Sequence, residues 1–423
     1  MVKKQNKNQR SGESGVVLHV NLLGAIVFSV ALVLAAAMVT YGVTKQPHTQ
    51  PISAAVVNSA SGPAPAQVPP WGELVVRNIK LKPPEEYLAF ELQHITPPAW
   101  NFDGNSIDRV RNVMLSSGLT QDEVSRALAP SKVSVSTATV TVHPDNDLVL
   151  SLSPEVRAKL YHELGRNSDN EHMRFPFCYS GNEFEEAFAP DKISPAVTAI
   201  VKKLLYSRGN LKCFSDYELV LLQIHEKDEQ MRLLSTLSSE SAVMAAVRIR
   251  PDTDLEKLLG YWAWPGGVRV KDVQPLLDSQ KGVPDGRVGL VYLLPQFARQ
   301  RLYTFPMPSR PGDPAMDCHW STMNFFNDTP DDHFTDPAYT VKYLQANYYQ
   351  IAEPTKYGDV ILFLEGESNN AIHSAVYLCD DLVFTKNGNN MAQPWLLMHL
   401  KDLTMKYESD GPGRMVVYRN RNW

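Results

Sequence analysis

The segments that decide the fold read DCHWSTMNFF at residues 317–326, YGDVILFLEG at 357–366 and AIHSAVYLCDDLVFTKNG at 371–388. Asp317 is a favoured helix cap, so the first segment predicts a helix that begins at Cys318. The apolar run 360–364 is too short for a surface helix and predicts a buried strand. Two more strands are predicted at 372–378 and 382–385, so a cysteine at a helix start is followed by antiparallel strands.

Cys318 and His373 are the residue types of a thiolate–imidazole site. A thiol with a pKa of about 8.5 is mostly protonated at neutral pH, and a helix N-terminus and a nearby imidazolium lower that pKa. The amides at the helix start would also stabilise an oxyanion. On the second strand, His373 shares a face with Ala375 and Tyr377. We therefore predict Cys318 as the nucleophile and His373 as its proton acceptor.

A third polar residue is expected to orient the His373 imidazole. Thr385, Lys386 and Asn387 stand at the end of the third strand and are the candidates. We select Asn387 for this role. Asn387-Gly388 is also a common hairpin turn, which leaves a purely structural interpretation open.

These segments resemble the NlpC-type branch of the papain-like cysteine peptidases, which includes the CHAP amidases. The positions that match are Asp317-Cys318, Gly358-Asp359 and the strand from His373 to Tyr377. The resemblance covers only the C-terminal part of the chain. It implies a helix packed on an antiparallel sheet, amide hydrolysis by acyl transfer, and peptidoglycan peptides as the substrate class.

The same resemblance implies that Tyr303 helps to form the oxyanion site. The sequence departs from the pattern of this branch at one pair of residues: His319-Trp320 stands where members of the branch usually have a small Ser-Gly pair. Trp320 would either narrow the substrate cleft or lie in the core. The usual third polar residue is a histidine, which Asn387 replaces here.

The four cysteines lie at positions 178, 213, 318 and 379. Their spacing fits neither a disulfide framework nor a metal site, although Cys178 and Cys213 could pair in an oxidising compartment. Cys379 is predicted to be core, since it would lie about 20 Å from His373 along one strand. No HExxH, P-loop or dinucleotide motif is present, so no metal or cofactor is predicted.

The N-terminus predicts a membrane anchor. Basic residues from Lys3 to Arg10 precede an uncharged run from about Val16 to Val43, which is long enough to cross a bilayer. The basic side should stay in the cytoplasm, so the rest of the chain is expected on the periplasmic or extracytoplasmic side. A cleavable signal peptide with Ala35–Ala37 is the alternative, but the apolar run continues beyond these residues.

Four regions follow from these patterns, and the fold class is α+β. They are the basic tip and anchor at 1–44, a Pro/Ala/Ser-rich linker at 45–82, a mainly helical domain with a small β-hairpin at 83–290, and the papain-like domain at 291–423. Within the helical domain, helices are expected to begin near Thr120, at Ser153-Pro154 and at Ser194-Pro195. Residues 132–143 and 147–153 are expected to form paired strands.

We expect an envelope-anchored thiol hydrolase that cleaves an amide bond. A net charge of −5 and dispersed basic residues give no reason to expect nucleic acid as a partner. Two alternatives stay open. One is a transglutaminase-like acyl transferase with Asp380 or Asp381 as the third residue, and the other is a non-catalytic envelope binding protein in which His319 and Trp320 crowd the cysteine.

Overall fold

The computed structural model describes residues 68–264, 266–306, 316–366, 370–388, 391–408 and 414–423. This part of the chain has an α+β fold, as the sequence predicts. Its helices are α1 (Glu85–Leu92), α2 (Ile107–Ser117), α3 (Gln121–Ala127), α4 (Asn146–Ser151), α5 (Pro154–Leu164), α6 (Glu171–Arg174), α7 (Glu183–Ala187), α8 (Pro195–Leu204), α9 (Tyr217–Gln223), α10 (Lys227–Leu237), α11 (Leu255–Trp262), α12 (Val270–Gln280), α13 (Gln296–Arg301), α14 (Cys318–Met323), α15 (Pro337–Asn347) and α16 (Leu400–Glu408).

Within the described residues, the strands pair in four antiparallel sheets. They are β1 (Glu73–Leu81), β2 (Trp100–Asp103), β3 (Val133–Val135), β4 (Thr139–Val142), β5 (Phe177–Tyr179), β6 (Tyr206–Arg208), β7 (Leu211–Phe214), β8 (Glu240–Arg248), β9 (Arg287–Gly289), β10 (Tyr348–Ile351), β11 (Val360–Leu364), β12 (Ala371–Cys379), β13 (Leu382–Lys386), β14 (Trp395–His399) and β15 (Arg414–Asn420). The largest sheet has the order β10-β15-β11-β12-β13-β14, and the smaller ones are β1-β8-β9, β2-β4-β3 and β5-β7-β6.

The hydrophobic core divides near residue 240. One cluster of buried side chains runs from Leu88 to Leu237, which we call the helical unit. Two further clusters contain residues from Ala242 onward and also pack against side chains of β1, and we call this part the C-terminal unit. The division therefore lies about fifty residues before the boundary expected at residue 290, because β8, α11, α12 and β9 bury their apolar faces in the C-terminal unit.

β1 lies in the segment expected to be linker. It pairs with β8 over its whole length, from Glu73 opposite Arg248 to Leu81 opposite Glu240. The helical unit is therefore inserted between two adjacent strands of the C-terminal unit. The remaining part of the predicted linker and the predicted anchor lie outside the described residues.

Helix starts in the helical unit follow the predicted caps. Ser153 accepts a hydrogen bond from the Val156 amide at the start of α5, and Ser194 does the same for Val197 at the start of α8. Thr120 and Glu123 form a reciprocal capping box on α3. These side chains satisfy amide groups that have no partner within the helix.

The strand predicted at 147–153 is wrong, because residues 146–151 form α4. The predicted strand at 132–143 contains a turn in which the Ser136 amide donates to the Thr139 carbonyl at 2.8 Å. β4 therefore pairs with β3 on one side and with β2 on the other. Residues 146–151 are therefore not a partner strand of β4; they form a helix that buries the side chains of Leu148 and Val149.

Cys178 and Cys213 form a disulfide bond, which the sequence left open. They face each other directly in the register of β5 and β7, with Cα atoms 4.3 Å apart. Tertiary pairing of the strands, which has no local sequence signal, brings the two residues together.

The predicted helix-on-sheet arrangement is present in the C-terminal unit. α14 packs against β12 and β13 on one face of the six-stranded sheet, and α16 contacts the same sheet through β11, β14 and β15. The Gly358-Asp359 pair before β11 is structural: the buried Asp359 carboxylate accepts two hydrogen bonds from the Arg419 guanidinium on β15.

Within the part of the chain that the structure describes, no helix is long and apolar enough to cross a membrane. The predicted span from about Val16 to Val43 lies outside that part.

Candidate active site

Cys318 lies at the start of α14 and is 5% exposed. Asp317 caps this helix, since its carboxylate accepts from the Trp320 amide at 2.8 Å. α14 is held on the sheet by two polar contacts: Trp395 Nε1 donates to Ser321 Oγ at 2.8 Å, and the Ser374 hydroxyl donates to Thr322 at 3.0 Å. The position of Cys318 is therefore fixed from both sides of the helix.

α14 ends at Met323, within the segment 317–326. The Asn324 side chain donates to the Trp320 and Asp331 carbonyls and accepts from the Asp331 amide. These bonds satisfy a terminal carbonyl and turn the chain away from the helix axis. A helix of this length adds little macrodipole, so its terminus contributes little to the electrostatics at Cys318.

His319 is the imidazole next to Cys318 in the chain. It follows Cys318 in the first turn of α14 and lies close to the backbone of Ala371 at the start of β12. Burial lowers the pKa of His319, but the charge of Cys318, its hydrogen bond, the charge of Asp317 and the Ala371 contact outweigh burial and raise this pKa to about 9. At neutral pH the ring is therefore an imidazolium beside the sulfur.

Lys386 is a second cation at this site. Its side chain is fully buried, and its ammonium donates to the Gly388 carbonyl at 2.7 Å. Burial lowers the pKa of Lys386 to about 8, against the attraction of Cys318, Asp317 and Glu240. Cys318 therefore lies in a buried environment with two basic side chains nearby, those of His319 and Lys386.

His373 lies on the opposite face of the sheet from the body of α14. The neighbouring Ser374 points towards α14, and side chains alternate along a strand. The His373 ring stacks on Tyr407 of α16, with centroids 4.1 Å apart and an interplanar angle of 8°. Its Nε2 lies 2.8 Å from the Thr385 hydroxyl oxygen.

The hydrogen bonds around Thr385 define the protonation of His373. The Thr385 hydroxyl donates its hydrogen to the Ser374 carbonyl at 3.2 Å, so its oxygen accepts from His373 and Nε2 carries the proton. Burial lowers the pKa of His373 well below its ordinary value, and the positive charges of His319, Lys406 and Lys386 lower it further. His373 is therefore a neutral imidazole with Nδ1 unprotonated.

Two predicted site residues have other partners in the structure. Asn387 does not bond to the His373 ring; its amide donates to Glu240 of β8 at 3.1 Å, and the ring partner is Thr385, another of the three candidates. The Tyr303 hydroxyl donates to the Val243 carbonyl at 2.6 Å. The first contact joins the residue after β13 to β8, and the second joins the segment after α13 to β8.

Trp320 and Cys379 are core residues. The Trp320 ring is 1% exposed, packs on Phe297 and donates to the Asp332 carboxylate at 3.1 Å. Trp320 therefore does not narrow a cleft at Cys318. Cys379 is buried on β12, as predicted, and burial raises the pKa of its thiol well above the ordinary value.

The sequence reasoning missed His319 as a partner of Cys318. Adjacent residues on a regular helix point in different directions, so their spacing does not predict a contact. The available signal was the histidine itself, a titratable residue where the NlpC-type branch has a small one.

The arrangement supports nucleophilic chemistry. A thiol with an imidazolium and a buried ammonium nearby is the environment that activates cysteine. Among the described residues, no group of histidine, cysteine and carboxylate side chains has the arrangement of a metal site. Comparison of the chain with protein-family models, with curated proteins and with solved structures finds no match.

Proposed function

We propose that the protein is a thiol hydrolase that cleaves an amide bond by acyl transfer through Cys318. The observation that carries this proposal is the placement of the buried Cys318 at the start of α14, directly before His319 and with the buried Lys386 nearby. A structural cysteine of the core has no need of two cationic neighbours, as Cys379 illustrates among apolar residues.

Peptidoglycan peptides are the substrate class that we propose, and the cell envelope is the location. The resemblance to the NlpC-type branch supports the substrate class. The predicted anchor supports the location. The Cys178–Cys213 disulfide is a second, independent support, because such bonds persist mainly in oxidising compartments.

The proposed reaction has two stages. In the first, an imidazole of the site takes the Cys318 proton, the sulfur attacks the carbonyl carbon, and the C–N bond breaks as the leaving amine receives that proton. In the second, water gives a proton to the same imidazole and attacks the thioester. The C–S bond then breaks, which releases a carboxylic acid and restores the thiol.

The test is hydrolysis of soluble peptidoglycan fragments by the full-length protein in H₂¹⁸O. We expect products whose new carboxylate contains ¹⁸O, and we expect the Cys318→Ala variant to form none. The matched control is Cys379→Ala, which makes the same change at the other free cysteine and should keep the activity.

Three results would contradict the proposal. Products formed by Cys318→Ala would exclude Cys318 as the nucleophile. Transfer to an added amine without ¹⁸O incorporation would indicate a transferase. A Cys318 thiol that iodoacetamide alkylates no faster than a free cysteine would indicate a binding protein.

A further inference from the structure

We propose that Asn387 and Lys406 form an intramolecular isopeptide bond, with Glu240 as the acid–base group that transfers the protons. The bond joins Cγ of Asn387 to Nζ of Lys406 and releases ammonia. The thiol chemistry of Cys318 neither requires nor produces this bond, so the proposal is independent of the proposed function.

The first argument is that one carboxylate contacts both reactants. The Asn387 side chain donates from Nδ2 to Glu240 Oε2 at 3.1 Å. The Lys406 ammonium donates to Oε1 of the same carboxylate at 3.3 Å and to Oε2 at 3.4 Å. The asparagine Nδ2 and the lysine Nζ therefore share the oxygen Oε2, which places the amine next to the amide that it attacks.

The second argument is how the fold brings these residues together. Glu240 is the first residue of β8, Asn387 follows the last residue of β13, and Lys406 lies on α16. β8 is held by its pairing with β1, and β13 by its pairing with β14. The reactants are thus positioned before any bond forms. Such proximity can replace much of the activation that an ordinary amide needs before an amine attacks it.

The third argument is the state of the Asn387 amide. Its side chain is buried, and among the described residues its Oδ1 has no hydrogen-bond partner. A buried carbonyl oxygen without a donor is unfavourable. Apart from Glu240, the amide contacts Met398 Sδ at 3.7 Å, which is a weak acceptor for Nδ2. Once Glu240 carries a proton, rotation of the amide places Oδ1 on this new donor, which polarises the carbonyl for attack.

The reaction needs no oxidant, cofactor or water. Glu240 takes a proton from the Lys406 ammonium, and the free amine attacks Cγ of Asn387. Glu240 returns its proton to Nδ2, the Cγ–Nδ2 bond breaks, and the lysine nitrogen passes its second proton through Glu240 to the departing ammonia. One amide bond replaces another, and an ammonium ion leaves with the charge that Lys406 brought. The side chains of Lys406 and Glu240 are 38% and 18% exposed, so the ion leaves to solvent on their side.

The bond has a consequence at the candidate active site. Tyr407, the next residue of α16, stacks on the His373 ring with centroids 4.1 Å apart. Thr385 of β13 lies 2.8 Å from Nε2 of the same ring. A covalent link between α16 and the end of β13 therefore fixes the two partners of His373 relative to each other.

The test is mass spectrometry of the full-length protein after digestion with trypsin. We expect a linked pair of peptides that contains Asn387 and Lys406 and weighs one ammonia molecule less than the two separate peptides. Trypsin should not cleave after Lys406 in this pair, because the lysine nitrogen is then an amide. Cys318→Ala should give the same linked pair, since the bond does not depend on the thiol.

Three variants test the role of each group. Lys406→Arg should give no linked pair, because a guanidinium keeps the ion pair with Glu240 but remains protonated. Glu240→Gln should give none, because the amide does not take the proton of the lysine. The matched control is Lys401→Arg, the same substitution at an exposed lysine of α16, and it should keep the linked pair. Lys406→Arg should also unfold at a lower temperature than Lys401→Arg.

The proposal fails if the wild-type protein gives only the unlinked peptides after incubation at neutral pH. It also fails if the loss of ammonia at Asn387 persists in Lys406→Arg, which would identify a succinimide formed with the Gly388 amide. A linked pair in folded Glu240→Gln would exclude Glu240 as the proton carrier. Circular dichroism verifies the fold of each variant, and the wild-type digest decides whether the bond exists even if a variant is unfolded.

Discussion

At the scale of single residues, the C-terminal unit gives its two site histidines opposite properties. His319 has a raised pKa and follows Cys318, whereas His373 has a lowered pKa and contacts a hydroxyl and an aromatic ring. Residues whose environments move their pKa values apart commonly have different tasks in a site. The sequence alone shows where the histidines stand in the chain, but their roles depend on burial and on neighbouring charges.

The mutual stabilisation of Cys318 and His319 can be tested from the histidine side. In the wild type, the His319 ring should titrate near a pKa of about 9. In Cys318→Ala this pKa should fall by at least about one unit, because the charge and the hydrogen bond that raise it are removed while burial stays. NMR titration of the ring measures it. An unchanged His319 pKa in the variant would show that Asp317 and Ala371 alone hold the proton.

His172 makes stability depend on pH. Burial lowers the pKa of His172 to about 4, so between about pH 6.5 and 4 the unfolded chain binds a proton that the folded ring does not. The free energy of unfolding should therefore fall as the pH drops through this range. Urea unfolding at several pH values should show a shallower fall for His172→Phe, which keeps an aromatic ring in contact with Phe177 and Tyr217.

The control for His172 is His225→Phe, the same substitution at an exposed histidine. It should leave the pH dependence as it is in the wild type. Equal slopes for wild type and His172→Phe would mean that this ring is not the source of the acid sensitivity.

At the scale of elements, the sequence predicted those strands that consist of a short apolar run with a clear start. The strands predicted at 360–364, 372–378 and 382–385 match β11, β12 and β13 within one residue at each end. The length of α14 was not predictable, because it is set by the contacts of Asn324 with a segment that follows it. The disulfide and the contact of His319 with β12 also depend on tertiary pairing, which has no local pattern.

Asp317 has two effects: its carboxylate caps α14, and its charge raises the pKa of His319. Two variants of Asp317 separate these effects. Asp317→Ala should destabilise the protein by about 1 kcal/mol, because the cap on the Trp320 amide is lost. Asp317→Asn should keep most of this stability, since asparagine caps equally well, yet it should still lower the pKa of His319 by removing a charge. Chemical denaturation and NMR titration measure the two effects. If the two variants are equally unstable, the contribution of Asp317 is its charge and not its cap.

At the scale of the whole molecule, the helical unit contacts the C-terminal unit through residues of α1 and α6. Arg174 lies 3.8 Å from Glu365, which follows β11 and precedes the turn into β12. Tyr87 donates to the Pro306 carbonyl at 3.0 Å. The sequence predicted a helical domain but not these contacts, because they join residues that are far apart in the chain.

The disulfide should stabilise the helical unit in particular. It closes a loop of 35 residues, so the double variant Cys178→Ser/Cys213→Ser should lose about 2–4 kcal/mol of unfolding free energy. Reducing agent should lower the unfolding temperature of the wild type and leave that of the double variant unchanged. An equal effect of reducing agent on both proteins would attribute the change to some other group.

The pairing of β1 with β8 also sets an order of events during synthesis. β1 leaves the ribosome first, but its partner follows only after residues 82–239, so the sheet at the base of the C-terminal unit forms across a long sequence separation. Such non-local pairing is slow and leaves a strand edge exposed for a time. The helical unit, whose contacts are mostly internal, has that interval in which to fold. Since Leu81 and Glu240 are direct neighbours, the chain enters and leaves it at one point, as in a hairpin whose turn has been enlarged into a domain.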